Sequence, residues 1–346
     1  MNTFQTDFNS TPPPSSRRKI LAWFGLLFLL FVLIGTFRVV QGFFHHEITV
    51  ENQDPALKRK LDAVILPFKE DQPDDKEYVM PTKEKNRIDI LILGMRGKDD
   101  VVNGGLLTDT ILLLSYDQVT GRTSLVSIPR DLYVKIGVNI KDKINSALER
   151  LGVSETKKLF SRITGVYIDQ IAIFDFTAFK ETVNAVGGID ITLDKPFEET
   201  QQWGYTFSLP AGPNHLDGDS ALYFVRSRYT SNDFDRAERQ QKVILALKAK
   251  ILETNFITDP VRAFTLVNTL RKNVQTDIDI LNIKTLLELA SKISGPNSTL
   301  KREVLTTDNY LYDTKTSEGA YILLPKGDSL QGIKDFFQKI LLSPKS

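Results

Sequence analysis

The sequence predicts an α/β domain, a mixed central β-sheet covered by helices on both faces, joined to one N-terminal transmembrane helix. Three observations lead to that class. Apolar runs of strand length, continuous rather than alternating, take turns with segments of helical periodicity, as in a sheet buried from both sides. The connection Asp117-Gln-Val-Thr-Gly121-Arg122 is short and rich in turn formers, so the strands it joins form an antiparallel hairpin. Ahead of the domain, residues 20–37 carry no charge and are long enough to cross a bilayer.

Residues 1–19 contain Asn9-Ser-Thr-Pro-Pro-Pro-Ser-Ser and predict a disordered tail. Arg17, Arg18 and Lys19 close it, whereas Arg38 is the only strong cation just after the apolar run. The positive-inside rule therefore puts the tail in the cytoplasm and the domain outside the cell membrane. Residues 20–37 would make about 27 Å of helix, and 39–44 extend it at the interface, giving an anchor over 20–43. No small-residue cleavage site follows Phe37, so this is a signal-anchor that stays attached. Residues 44–86, charged and punctuated by proline, form an extracytoplasmic stalk with a short helix near 57–68.

The domain runs from 87 to 346, its motifs concentrated in 87–255 and its completion in 256–346. Strands are expected at 88–93, 110–116, 124–128, 171–174 and 189–193. Helices are expected at 143–151, 155–163, 177–186 (closed by Gly187-Gly188), 220–226 and 235–254. Beyond 257 come helices at 260–273 and 277–294, a strand pair around Val304 and 320–324, and a last helix at 330–342.

Composition excludes several chemistries. With 346 residues and a formal net charge of +1, no basic excess drives counterion release, so nucleic acid is not a partner. The absence of cysteine removes thiolate nucleophiles, disulfides and cysteine-bound metals. Of the three histidines, His45 and His46 adjoin the apolar run, and His215 lies in an expected turn over 211–218 where it reads as structural. A histidine-based triad or metal centre is therefore disfavoured.

What remains is arginine and carboxylate. Asp233 is a natural N-cap for the helix over 235–254, whose buried face carries Val243, Ile244, Leu247 and Ile251. Extending that face backwards lands on Gln240 and Arg236, where a core helix should carry an aliphatic residue. Arg226 and Arg228 precede them, and polar groups gathered at a helix N-terminus suit phosphate oxygens, although a solvated basic loop reads the same way. If Tyr116 pairs with Thr123 across the hairpin, Asp109 falls opposite Arg130, a pairing that serves equally as a structural ion pair. Lys143 stands shortly downstream, either reaching the same crevice or solvated. Gly94-Met-Arg-Gly97 with Gly104-Gly105 permits close backbone approach to a ligand but lacks a Walker ending. This inventory suits Mg²⁺-assisted phosphoryl or pyrophosphoryl chemistry, in which arginine forks hold nonbridging oxygens.

Thr108-Asp109-Thr110, Val126-Ser-Ile-Pro-Arg130-Asp131, Lys143-Ile-Asn145, Val186-Gly-Gly-Ile-Asp190, Leu216-Asp-Gly-Asp-Ser-Ala-Leu-Tyr, Arg226-Ser-Arg228 and Asp233-x-x-Arg236-x-x-Arg239-Gln240 occur in this order. Together they resemble the LytR–CpsA–Psr (LCP) family over about residues 87–255. The resemblance implies an LCP-like α-β-α fold and a membrane-anchored, Mg²⁺-dependent phosphotransferase. Such an enzyme moves a glycopolymer from a polyprenyl-pyrophosphate carrier to peptidoglycan, with membrane lipid around its anchor. It further implies that Asp109 holds Mg²⁺, that Arg130, Arg226, Arg228 and Gln240 bind the pyrophosphate, and that Lys143, Asp233 and Arg236 support the site. A long apolar tunnel for the lipid tail is implied as well. Two departures stand out. Many members carry a second acid where this chain has Arg96, with Asp99 and Asp100 nearby, and Asp235 replaces a frequent glycine. The alternatives are a pyrophosphatase, with water as acceptor, and a non-catalytic membrane regulator that binds a lipid-linked ligand.

Overall fold

Arg87–Met95 forms β1, a strand with no polar face in its outer half: Leu91 and Leu93 are fully buried on one side, and Ile90 and Ile92 point to the other. Such a strand is stable only in the middle of a sheet. It lies between β2 (Thr108–Asp117), antiparallel, and β6 (Gln170–Phe174), parallel. β2 turns into β3 (Thr123–Ser127) through the expected hairpin, with Asp117 Oδ1 accepting from the N–H groups of Val119 and Thr120. Tyr116 pairs with Thr123, as the turn chemistry predicts. Two short edges, β11 (Gln275–Thr276) and β12 (Leu300–Val304), complete a sheet of order β11-β6-β1-β2-β3-β12 among the described residues. The sheet is mixed, and β1, β3, β6 and β12 all end at the edge where β2 begins.

The computed structural model describes residues 80–97, 104–137, 140–202, 204–228, 233–253, 260–278 and 300–342. The tail, the anchor, the stalk up to residue 79, Asp99 and Asp100 fall outside them, as does the helix expected at 277–294 apart from a bend at Asp277 and Ile278. Among the described residues no helix is long and apolar enough to cross a membrane.

One face of the sheet is covered by α1 (Ala147–Thr164) and α6 (Gln331–Lys339), which join Leu91, Leu93, Ile111, Leu113 and Val126 in a single core. The other face looks toward α2 (Phe176–Ala185), α3 (Gly218–Arg226), α4 (Asp233–Glu253) and α5 (Pro260–Asn273). These helices pack with the ribbon of β7 (Ile189–Leu193) and β10 (Gly212–Leu216) into a second core that contains no residue of the central sheet. Ile90, Leu112, Leu125 and Ala172 are buried on that side of the sheet yet belong to neither core. A cavity lies between the two layers. α2 and α3 meet at Gly218, where a Cβ would collide with the backbone carbonyl of Lys180.

Three expectations need correction. The helix expected from 143 starts later: Lys143 ends a strand ribbon, β4 (Tyr133–Gly137) with β5 (Ile140–Lys143), and one 3₁₀ turn, Ile144–Ser146, leads into α1 at Ala147. The lysine-rich Ile-Lys-Asp-Lys of β5 has no apolar alternation of its own and acquires strand geometry from its partner. The two helices expected at 143–151 and 155–163 are the two arms of α1, which breaks between them at Gly152 (φ 72°, ψ −178°). The strands near Val304 and 320–324 do not pair with each other. Val304 ends β12 on the central sheet, whereas β14 (Tyr321–Pro325) pairs with β13 (Leu311–Lys315). His215 lies in β10 rather than in a turn, and its Nδ1 lies 2.6 Å from Asp190 Oδ1. The two remaining short strands, β8 (Phe197–Glu199) and β9 (Phe207–Leu209), form a separate hairpin.

Candidate functional site

Each strand end at the shared edge delivers a polar side chain. β1 leads into Arg96, β2 opens with Thr108 and Asp109, β3 leads into Arg130 and Asp131, and β6 leads into Asp175. Loops at the carboxyl ends of strands are placed to aim such groups into a crevice. The first turns of α4 add Asp233, Arg236 and Gln240, which share one helix face at steps of three and four. Asp233, expected as the N-cap, is instead the first described residue of the helix, and its carboxylate turns toward the arginines.

Arg130 is the hub. Its Nη1 donates to Asp109 Oδ1 at 2.7 Å and its Nε to Asp233 Oδ2 at 3.2 Å, with Asp131 Oδ2 3.5 Å away. Burial alone would lower its pKa, but the carboxylates of Asp109, Asp233 and Asp131 together outweigh burial and hold it above the ordinary value. Arg236 is the opposite case. Burial pushes its pKa down, Asp233 and Asp109 pull the other way, and the like charges of Arg130 and Arg228 add to the fall. It is 6% exposed; Nη2 reaches the Asp109 carbonyl at 3.3 Å and Asp233 Oδ2 at 3.2 Å. Its Nε is buried with no acceptor among the described residues. A buried donor left so costs about 1–3 kcal/mol, which an anionic oxygen in the crevice would remove.

Arg226 and Arg228 are held through the residue between them. Ser227 is fully buried; its hydroxyl donates to the buried Glu199, and its carbonyl accepts from Arg239 Nη2 at 2.5 Å. With that residue pinned, the Arg226 guanidinium sits 4.1 Å from the Phe176 ring centroid. The Arg228 backbone N–H donates to Gln202 Oε1, and its Nε lies 4.0 Å from Asp233 Oδ1. Lys143 stands one step back, its Nζ 2.6 Å from Asp131 Oδ1. Asn145 ties the loops together, donating from its N–H to the Arg130 carbonyl and accepting at its own carbonyl from Thr108 Oγ1.

Two cavities open on this cluster. One, of about 280 Å³, is walled by Ile92 and Leu112 of the sheet and by Phe179, Val225, Val243 and Leu247 of the helices, with Arg226 and Arg228 at its polar end. The second, of about 330 Å³, is bounded by Arg130, Asp131, Asp233, Tyr321 and Leu323. Asp109, Arg236 and Gln240 line both and form the partition between them.

The donor set around the partition is sparse. Among the described residues no group of three or more His, Cys, Asp or Glu side chains is gathered to hold a metal ion. Asp109 and Asp175 are the two carboxylates on the apolar cavity, and each commits Oδ1, to Arg130 and to the Ala178 N–H, leaving Oδ2 over. Mg²⁺ is commonly held by one or two carboxylates together with substrate phosphates and water, and that demand the site meets. Asp175, Gln202, Glu199 and Tyr321 do not figure among the residues expected from the sequence. Asp175 follows an apolar strand directly and could have been found by the strand-end rule. Tyr321 reaches the site only through the C-terminal hairpin, which no local signal joins to Arg130.

A family model described as the LytR_cpsA_psr family matches residues 59–338. The polyisoprenyl-teichoic acid–peptidoglycan teichoic acid transferase TagU of Oceanobacillus iheyensis is 31% identical over 285 residues, covering 78% of this chain and 81% of the relative. The protein named regulatory protein MsrR of Staphylococcus aureus is 29% identical over 262 residues, covering 75% and 77%. Among solved structures, Bacillus subtilis TagV superposes with a TM-score of 0.60 at 24% identity, covering 76% of this chain and 100% of that one. At that identity the likeness speaks for the fold.

Proposed function

The chain belongs to the LytR–CpsA–Psr family, and from that premise we propose that it transfers a glycopolymer from a polyprenyl-pyrophosphate carrier to peptidoglycan. The observation that carries this reading is the partition: a cluster of arginines, one with an unsatisfied buried Nε, closes the polar end of an apolar cavity. A lipid pyrophosphate has the same two-part character. Its prenyl chain takes the cavity between the layers, and its diphosphate meets Arg226, Arg228, Arg236 and Gln240.

In the reaction an acceptor hydroxyl attacks the phosphorus next to the glycopolymer. A new O–P bond forms, the bridging P–O bond breaks, and polyprenyl phosphate leaves. Arg130 and Arg236 hold the nonbridging oxygens and spread the charge that grows on the leaving phosphate. Asp233 Oδ2 is occupied by Arg130 and Arg236, whereas Oδ1 has, among the described residues, only Arg228 at 4.0 Å; Oδ1 is the atom to take the hydroxyl proton. Lys143 keeps Asp131, and with it the Arg130 loop, in place. Mg²⁺ is part of the proposal: Asp109, with Asp175 opposite, would hold it, and the bound ion would neutralise pyrophosphate charge.

Attachment to the cell membrane with the domain outside belongs to the same reading, supported by the uncharged run 20–37 and by Arg17, Arg18 and Lys19 before it. The test is a reconstitution of the full chain with a lipid-linked glycopolymer, Mg²⁺ and peptidoglycan glycan strands. Covalent polymer on the strands with release of polyprenyl phosphate is expected. Release without any polymer on the strands would make the protein a pyrophosphatase, and binding without release would make it a regulator.

A further inference from the structure

Resting on that reading, we propose that the second pocket, the one capped by Tyr321, is the acceptor subsite and seats a pyranose ring of the receiving glycan. The first argument is stereochemical. Phosphoryl transfer runs with the attacking and leaving oxygens roughly in line through phosphorus. The leaving oxygen belongs to the polyprenyl phosphate, whose chain occupies the apolar cavity, so the attacking hydroxyl must come from the far side of the partition. Asp109, Arg236 and Gln240 form that partition, and the space beyond it is the pocket holding Arg130, Asp233 and Tyr321.

The second argument is what the pocket offers a sugar. Tyr321 is 45% exposed, and its hydroxyl makes no hydrogen bond among the described residues. It is nevertheless firmly placed. The Leu323 N–H donates to the Asp131 carbonyl at 2.9 Å, and Leu323 bridges to Leu132, so β14 is stitched to the loop that carries Arg130. Tyr321 and Leu323, two residues apart on one strand, both line the pocket. Burial pushes the Tyr321 phenol up, as do the carboxylates of Asp313, Asp131 and Asp233, so the ring shares the field of the acids that face the pocket. A fixed aromatic platform opposite carboxylates matches the apolar face and the hydroxyl rim of a hexose.

The third argument is room for a polymer. Val304 belongs both to this pocket and to a broad groove of about 1200 Å³ on the other flank of α4. Basic and acidic side chains line the groove in equal number, Lys195, Lys242 and Arg302 among the former and Glu198, Glu238 and Glu303 among the latter. A balanced groove suits an extended glycan strand better than a polyanion, which a basic one would attract.

The test is steady-state transfer by the full chain in detergent, with a short-chain polyprenyl-pyrophosphate disaccharide as donor and soluble peptidoglycan glycan strands as the varied acceptor. Tyr321→Ala should raise the acceptor KM by about tenfold and leave the donor KM unchanged, while Tyr321→Phe, which keeps the ring, stays near wild type. Equal acceptor KM values for wild type and Tyr321→Ala would overturn this inference alone. A Tyr321→Ala variant whose donor KM rises with the acceptor KM would overturn it too, by making Tyr321 part of the donor site. A wild-type chain that splits the donor but never modifies the strands would overturn the transferase reading and this subsite with it.

Discussion

Arg236 is the residue on which the chemistry of the site depends most directly. Its buried guanidinium spans both cavities, and only one face of it is satisfied by Asp109 and Asp233. Charge-assisted hydrogen bonds are worth about 1.5–3 kcal/mol, so Arg236→Ala should weaken binding of a short polyprenyl pyrophosphate at least about tenfold in calorimetry. Arg236→Lys should recover little of it, since an ammonium lacks the planar fork. Asp109 poses a different question, because one carboxylate can hold Mg²⁺ or merely balance Arg130. Asp109→Asn should abolish the Mg²⁺ response of turnover while costing about 1 kcal/mol or less in stability, read from turnover against Mg²⁺ beside a melting curve. A clearly destabilised variant with an unshifted Mg²⁺ response would make the residue structural. Both positions were legible in the sequence, Arg236 as a polar intrusion on an apolar helical stripe and Asp109 through the register that sets it against Arg130 at 2.7 Å. Glu199 was not legible, because a carboxylate next to a proline-led strand gives no hint that it will be fully buried against Ser227.

At the level of elements, local pattern decided what could be foreseen. β1, β2, β3 and β6 are continuous apolar runs, and α2 and α4 carry their caps or their stripes in the chain itself. β5 and the β13–β14 hairpin owe their geometry to partners that periodicity does not reveal. The close crossing of α2 and α3 is another feature of tertiary origin. Gly218 lets the first turn of α3 rest on the Lys180 carbonyl, and Asn184 Oδ1 accepts the Gly218 N–H at 2.8 Å. Gly218→Ala should push the two helices apart and destabilise the domain by about 1–3 kcal/mol in denaturant unfolding. Because α3 ends at Arg226, the same variant should weaken pyrophosphate binding as well; a variant that melts early but binds normally would show that the shift is absorbed before Arg226.

Across the described residues the domain holds two cores with a gap between them, and the gap is where a lipid chain would lie. Ile244 borders it from α4, so Ile244→Trp should fill part of the cavity. The variant is expected to lose affinity for a long-chain polyprenyl pyrophosphate while binding inorganic pyrophosphate as before, in parallel titrations. Equal loss for both ligands would place the chain elsewhere. The edge strand β12 carries a further consequence. Leu300 pairs with Thr123 across roughly 180 residues of chain, a very non-local contact of the kind that forms late. Until it arrives, β3 is an open strand edge able to recruit another copy. A chain made only as far as residue 299 therefore already has every residue that lines the apolar cavity, but lacks β12, α6 and, with Val304, Tyr321 and Leu323, one wall of the second pocket. On the proposed reading, the order of synthesis lays down the donor wall before the acceptor wall: a partly made molecule would hold the lining for its lipid yet have nowhere to discharge the cargo.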